Sequence, residues 1–191
     1  MAKRVFFSFH YRDVIDFRAN VVRNHNLTKG DHGGYFDASI WEEAQKKGEI
    51  ALKRLIHGSL ENTSTTCVLI GSDTYQRPWV RYEIIRSLWK GNSLFGVHIN
   101  GIKGKDEQTK TNGPNLFEYL ALSYSEDGTR VTPYEYKNGK WVQYDKHDSW
   151  TLETIANKSL WGQTKTLTER GYKVYDWVKG DGYNNFGTWV G

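Results

Sequence analysis

The chain has few of the residues that covalent cross-links, metal cages and membrane spans require. Cys67 is its only cysteine, so no disulfide can form within the chain, as suits a reducing cytosol. A lone thiol inside an apolar strand reads as packed and inert. No apolar run approaches the roughly 20 residues that span a bilayer, and the few apolar residues before His10 are too short for a secretory signal. A cytoplasmic protein with no membrane partner is therefore expected, and the sequon at Asn62 is then a chance match. His25, Asp31 and His32 form a small polar cluster, but at no spacing that suits a metal. The glycines and lysines from Gly101 to Lys105 lack the gap and the trailing hydroxyl of a phosphate loop. No dinucleotide glycine fingerprint follows the first strand. There is no internal repeat, no low-complexity tract and no linker.

What is present suits one folded domain. The chain has 191 residues, 38% of them hydrophobic, and its 8 Trp, 12 Tyr and 8 Phe offset a shortage of aliphatics. The net charge of +4 and the pI of about 9.0 are a mild bias that suits an anionic ligand but reads first as an ordinary solvated surface. Basic residues are spread among acids rather than gathered on one face, so nucleic acid is not an expected partner.

Local patterning predicts alternating elements. Arg4 to Phe9 is a compact apolar strand. Asp13 can cap a helix running to about Asn24, with Val14, Phe17, Val21 and Val22 inward. A turn-rich loop follows, then a short strand at Tyr35–Asp37. Glu42 to Leu60 is helical, with a stripe of Ile50, Leu52, Leu55, Ile56 and Leu60, and Gly48 weakens it locally. Thr65 to Ile70 is the next strand. Pro78 to Lys90 is a helix with proline at its first position and Gly91 at its stop. Leu94 to Asn100 is a further strand, followed by a hydrophilic loop read as mobile. Residues 114–121 suit a short helix, and 151–161 a weak one. Residues 132–144 alternate and pivot on Asn138-Gly139, a hairpin signal. A last strand covers 172–178, and 182–191 leaves room for one more turn.

This order implies an α/β fold with a central, mainly parallel sheet and helices on both faces. Residues 1–191 then form a single domain, with an elaboration at about 101–165 that holds the inserted hairpin. The most informative stretch runs from Cys67 to Ile85. An apolar strand ends in Gly71, Ser72 and Asp73, and the proline-led helix carries Trp79 and Glu83 four residues apart, hence on one face. That helix begins beside the carboxyl end of a strand, where open α/β sheets keep their ligand crevices. Without more, Glu83 also reads as a solvated carboxylate pairing with Arg86.

Four segments, in order, resemble one family. V-F-F-S-F-H-Y-R-D (5–13), G-Y-F-D (34–37), residues 48–72, and S-D-T-Y-Q-R-P-W-V-R-Y-E-I (72–84) are similar to the boxes of TIR domains. The ending Y-D-W-V-K-G-D-G-Y-N-N-F-G-T-W-V resembles the TIR-like family of bacterial defence, and most of all the TIR-like component of the Thoeris antiphage system. The resemblance implies a flavodoxin-like, three-layer fold and an enzyme that takes NAD as substrate, with no further cofactor. It implies cleavage of the nicotinamide–ribose bond and closure to a cyclic ADP-ribose isomer. That signal would activate a ThsA-like effector, itself an NAD-degrading enzyme, after a phage trigger. Many TIR enzymes act only when assembled, so a homo-oligomer is expected in the active state.

Cleaving that bond expels neutral nicotinamide and leaves positive charge on the ribose, so one carboxylate can suffice where ordinary glycosidases need two. Glu83 is the expected catalytic group. Substrate-binding candidates are Phe6, Ser8, Phe9, His10 and Tyr11 on and after the first strand, Asp37 and Ser39 beside the next loop, and Trp79. Phe9 and Trp79 could stack on a base or wall the ribose, or both could be core residues. Ser8, His10 and Tyr11 could donate to phosphate or ribose, or be ordinary loop residues, and Asp37 could equally be a turn residue. Phe6 and Ser8 share one strand face and Phe7 and Phe9 the other, and alternation does not say which face meets the crevice. Two other functions use the same fold. A non-catalytic adaptor would bind through its helices. A receiver-like switch would need an acidic pair after the first strand, where Ser-Phe-His-Tyr stands instead.

Overall fold

The computed structural model describes residues 4–25 and 38–191. Two compact units are present, Met1–Pro114 with Val174–Gly191, and Asn115–Lys173. The first unit is built on a four-stranded sheet of β1 (Val5–Ser8), β2 (Thr65–Ile70), β3 (Ser93–His98) and β9 (Val174–Asp176), in that order. Every neighbouring pair is parallel, with Phe6 opposite Thr66, Ser8 opposite Val68 and Val68 opposite Gly96. β1 and β2 are buried along their whole length, as continuous apolar runs covered on both faces should be. The expected strand at Tyr35–Asp37, with the loop before it, Asp31 and His32, lies outside the described residues.

Each sheet face has its own helices. Val5, Phe7, Cys67, Leu69, Phe95 and Val97 pack with Ala19 and Val22 of α2 (Arg18–Arg23) and Phe186 of α6 (Gly182–Val190). The alternate residues face α5 (Pro78–Lys90), and the Thr66 hydroxyl donates to Ser87 Oγ at 2.8 Å. α5 is bounded as expected, by Pro78 at its start and by Gly91, whose φ of 83° is the left-handed conformation that glycine takes without strain. α4 (Glu49–Glu61) buries Leu52, Ile56 and Leu60, three residues of the predicted stripe, while Ile50 is exposed. The predicted single helix is broken at Gly48, whose φ of 94° ends α3 (Ala38–Lys47) and starts α4.

The first helix departs from expectation. It divides into α1 (Tyr11–Ile15) and α2 at Phe17, whose φ is 64°. The break rotates the buried face, so Arg18, Ala19 and Val22 are buried and Phe17 and Val21 are exposed. Asp13 lies inside α1 rather than at its cap.

Arg18 has no solvent exposure. Its Nε donates to the Ile102 carbonyl at 2.9 Å and its guanidinium to the Gln108 carbonyl at 2.6 Å, beside Asp16. Lys110 reaches Asp16 at 2.6 Å, and the Asn100 amide donates to the Thr111 carbonyl at 2.6 Å. The hydrophilic segment after β3, expected to be mobile, is thus tied down through its backbone. Sequence composition could not show this, because the tying residue lies more than eighty positions away.

The second unit is antiparallel, with β6 (Lys140–Gln143), β5 (Arg130–Lys137), β4 (Leu120–Tyr124) and β8 (Thr164–Thr166) in order, and β7 (Trp150–Thr151) on β5. β5 and β6 are the predicted hairpin. Lys137 pairs with Lys140 across Asn138 and Gly139, both at positive φ, as a two-residue turn of the I′ kind requires. The helices expected at 114–121 and 151–161 are single 3-10 turns, at Leu116–Glu118 and Lys158–Leu160. The apolar run after the first of these is β4, paired on both sides. No helix among the described residues is long and apolar enough to cross a membrane.

Replacing Arg18 with Ala would leave two loop carbonyls without their donor and Asp16 with Lys110 as its remaining cation. A loss on the order of 3 kcal/mol is expected, read as a lower urea midpoint. An unchanged midpoint would show that the loop is held by other contacts.

Candidate functional site

A cavity of about 370 Å³ opens at the carboxyl end of β1 and the start of α5. Phe7, Phe9, His10 and Tyr11 line it from the first strand and the turn after it. Trp41, Glu42 and Gln45 contribute from α3, and Arg77, Pro78, Trp79, Val80 and Glu83 from the start of α5. Pro78 sets the helix direction at the strand end, and four residues later the helix delivers Glu83 to the same wall as Trp79.

Glu83 is buried, yet it borders the cavity. The Ser8 hydroxyl donates to its Oε2, and Ser8 itself has no exposure. A second link sets the helix at this point. Ser87 Oγ donates to the Glu83 carbonyl at 2.7 Å and accepts from Thr66 of β2. Removal from water raises the Glu83 carboxyl to about 8, against the opposing pull of the Ser8 hydrogen bond. At neutral pH Glu83 is therefore mainly the neutral acid. The alternative reading, a solvated carboxylate paired with Arg86, does not hold. The Arg86 guanidinium instead lies 3.7 Å from the Trp89 ring centroid.

Aromatic rings stiffen the rim. Trp79 meets Trp41 edge-on at 6.3 Å and Tyr82 at 5.7 Å, and the Tyr82 hydroxyl is 2.7 Å from His57 Nε2. Phe9 carries the Arg23 guanidinium 5.0 Å above its ring. Partial burial lowers the His10 pKa, with Arg77 adding to the effect, so its imidazole is neutral at pH 7.

The predicted site residues separate into groups. Glu83, Phe9, His10, Tyr11 and Trp79 come together around the cavity. Ser8 is beside it but turned to Glu83. Phe6, on the same strand face as Ser8, is fully buried and does not line this cavity, because the sheet interior closes over it. The face of β1 that reaches the cavity is that of Phe7 and Phe9. Ser39 stands in the first turn of α3, and Asp37 lies outside the described residues.

The family model for the TIR-like domain of the Thoeris protein ThsB matches residues 6–103. The chain is also 56% identical over 192 aligned residues to a Bacillus cereus (strain MSX-D12) protein, over the full length of both. The chain belongs to the ThsB TIR-like family. The relative carries the name "Putative cyclic ADP-D-ribose synthase ThsB1".

Every residue that lines the cavity falls inside the part that matches the ThsB model. The second unit, Asn115–Lys173, lies beyond that match but within the full-length similarity to the relative. The sequence reading missed Phe7, Trp41, Glu42, Gln45, Arg77, Pro78 and Val80 as lining residues. Arg77 had a readable signal, since it directly precedes the proline that opens α5. The α3 residues had none, because their helix is placed by contacts distant in sequence.

The Glu83 shift has a stability consequence. The folded protein retains a proton there that the unfolded chain releases near 4.5. Stability therefore falls as pH rises from about 4.5 to about 8, by on the order of 5 kcal/mol. Glu83→Gln keeps an acceptor for Ser8 and removes the ionisation. Its stability advantage over wild type should grow between pH 5 and pH 8 in urea unfolding. Parallel curves for the two proteins would mean that Glu83 ionises normally.

Proposed function

We propose that the protein takes NAD as substrate, cleaves its nicotinamide–ribose bond and closes the remainder to a cyclic ADP-ribose isomer. The observation that carries this reading is the buried Glu83 carboxyl at the cavity wall, held by Ser8. Family membership and the name of the Bacillus cereus relative support it.

The chemistry needs one well-placed anion. Nicotinamide leaves as a neutral molecule with the electron pair of the broken C–N bond, so no acid need protonate it. The ribose left behind takes on positive charge, and a carboxylate beside it stabilises that charge in a site poor in water. A cationic pyridinium entering the cavity draws Glu83 toward its ionised form, since an opposite charge nearby favours the anion. The catalytic anion is thus formed mainly when substrate is present. Phe9 and Trp79 supply apolar walls that exclude water, and cyclisation requires this, because the substrate's own adenosine half must reach the ribose before solvent does. His10 and Tyr11 offer polar groups to the cavity from the turn after β1.

In the cell, this reading makes the cyclic nucleotide a signal. It would activate a ThsA-like effector in the cytoplasm after a phage trigger, with the active form assembled from several copies. A second reading, a non-catalytic adaptor, draws on the exposed apolar side chains Ile15, Phe17 and Val21 on α1 and α2.

The test is nucleotide mass spectrometry after incubating the purified protein with NAD, alone and with lysate of phage-infected cells. Wild type should release nicotinamide and a cyclic ADP-ribose isomer, and Glu83→Gln should turn over roughly 10²–10³-fold more slowly. An unchanged NAD pool in both conditions, with Glu83→Gln still protective in cells, would favour the adaptor.

A further inference from the structure

Arg77 is the only residue with a permanent positive charge among the described residues lining the cavity. It occupies the N-cap position of α5, in extended backbone conformation. Its Nε is buried without a hydrogen-bond partner. Its one recorded carboxylate neighbour, Asp73 Oδ2, is 3.5 Å away, and both side chains are partly exposed. An ion pair of that length and exposure contributes little, whereas a buried guanidinium N–H with no acceptor carries a desolvation cost. The Arg77 guanidinium therefore keeps a donor free for an anion that enters the cavity, although Glu42 and Glu83 also line it.

The start of α5 adds to the positive field at Arg77. No side chain caps the start of α5, and Pro78 contributes no N–H, so the next amides of the first turn face outward uncapped. His10 is held neutral partly by the charge of Arg77, and so does not compete for the same anion as a second cation. Glu83 lies six positions after Arg77, about 9 Å along the helix axis. In a dinucleotide, a single ribose separates the scissile C–N bond from the diphosphate. A substrate with its reacting carbon at Glu83 would bring its diphosphate toward Arg77.

We propose that Arg77 binds the diphosphate of the dinucleotide, with the uncapped amides at the start of α5 beside it. The inference rests on the dinucleotide reading above and names the residue that would select a phosphorylated substrate over a bare nucleoside. Charge-assisted hydrogen bonds from a guanidinium to phosphate oxygens are short and oriented, and they weaken as salt rises.

The experiment is calorimetric titration of purified protein with ADP-ribose at low and high salt. Arg77→Gln should weaken binding by about 10- to 100-fold and flatten the salt dependence. Arg77→Lys should lose part of the affinity and keep the salt dependence, which guards against a Gln variant that fails to fold. Arg12→Gln, which removes a nearby charge that does not line the cavity, should match wild type. Equal affinity in wild type and Arg77→Gln would overturn the assignment, as would weakened binding with unchanged salt dependence. Wild type that binds no ADP-ribose would overturn the dinucleotide reading itself, and this inference with it.

Discussion

A carboxyl group taken out of water resists ionisation, and Glu83 is held in that condition by the end of a neighbouring strand. Ser8 donates to it from β1, and Ser87 links the same turn of helix to Thr66 of β2. These contacts join α5 to the sheet at one place, and the cavity opens there. Loosening them would shift the carboxylate and let water reach it, which would remove the source of its raised pKa. The shift arises mainly from burial, so the same packing that stabilises the fold prepares the reactive group.

The architecture explains why this end of the sheet carries the site. Parallel strands deliver their carboxyl ends to one edge, and the helices that follow begin there with free backbone amides. Trp41 and Trp79 line the cavity and meet edge-on, Tyr82 backs Trp79, and Arg77 is the one permanent cation among the described lining residues. Burial of one face under α2 and α6 and of the other under α5 leaves little freedom for the strand ends to move.

Much of this was legible in the sequence because the relevant signals are local. The β2–α5 unit declares itself by an apolar run, a proline at the helix start and a glycine at its end. The Trp79 and Glu83 spacing follows from helix geometry alone. Asn138-Gly139 announced its hairpin for the same reason. What stayed hidden depends on distant contacts or on backbone strain. Nothing near Phe17 forecasts a left-handed residue that splits a helix. The role of Ser8 requires a partner 75 positions away, so the residue looked like a ligand donor rather than a support for the acid. Alternation along β1 defined two faces, but only packing shows that Phe6 is interior and Phe9 reaches the cavity. β4 was masked by a short run that follows a proline, and its strand character comes from pairing on both sides.

The most direct test of this account is the ionisation of Glu83 itself, followed by carbon NMR of the protein labelled at glutamate carboxyls, with Glu83→Gln to assign the resonance. A titration midpoint near 8 in the free protein, moving down when a nicotinamide-bearing ligand enters, is the predicted result. A midpoint near the ordinary value of 4.5, unaffected by ligand, would contradict it.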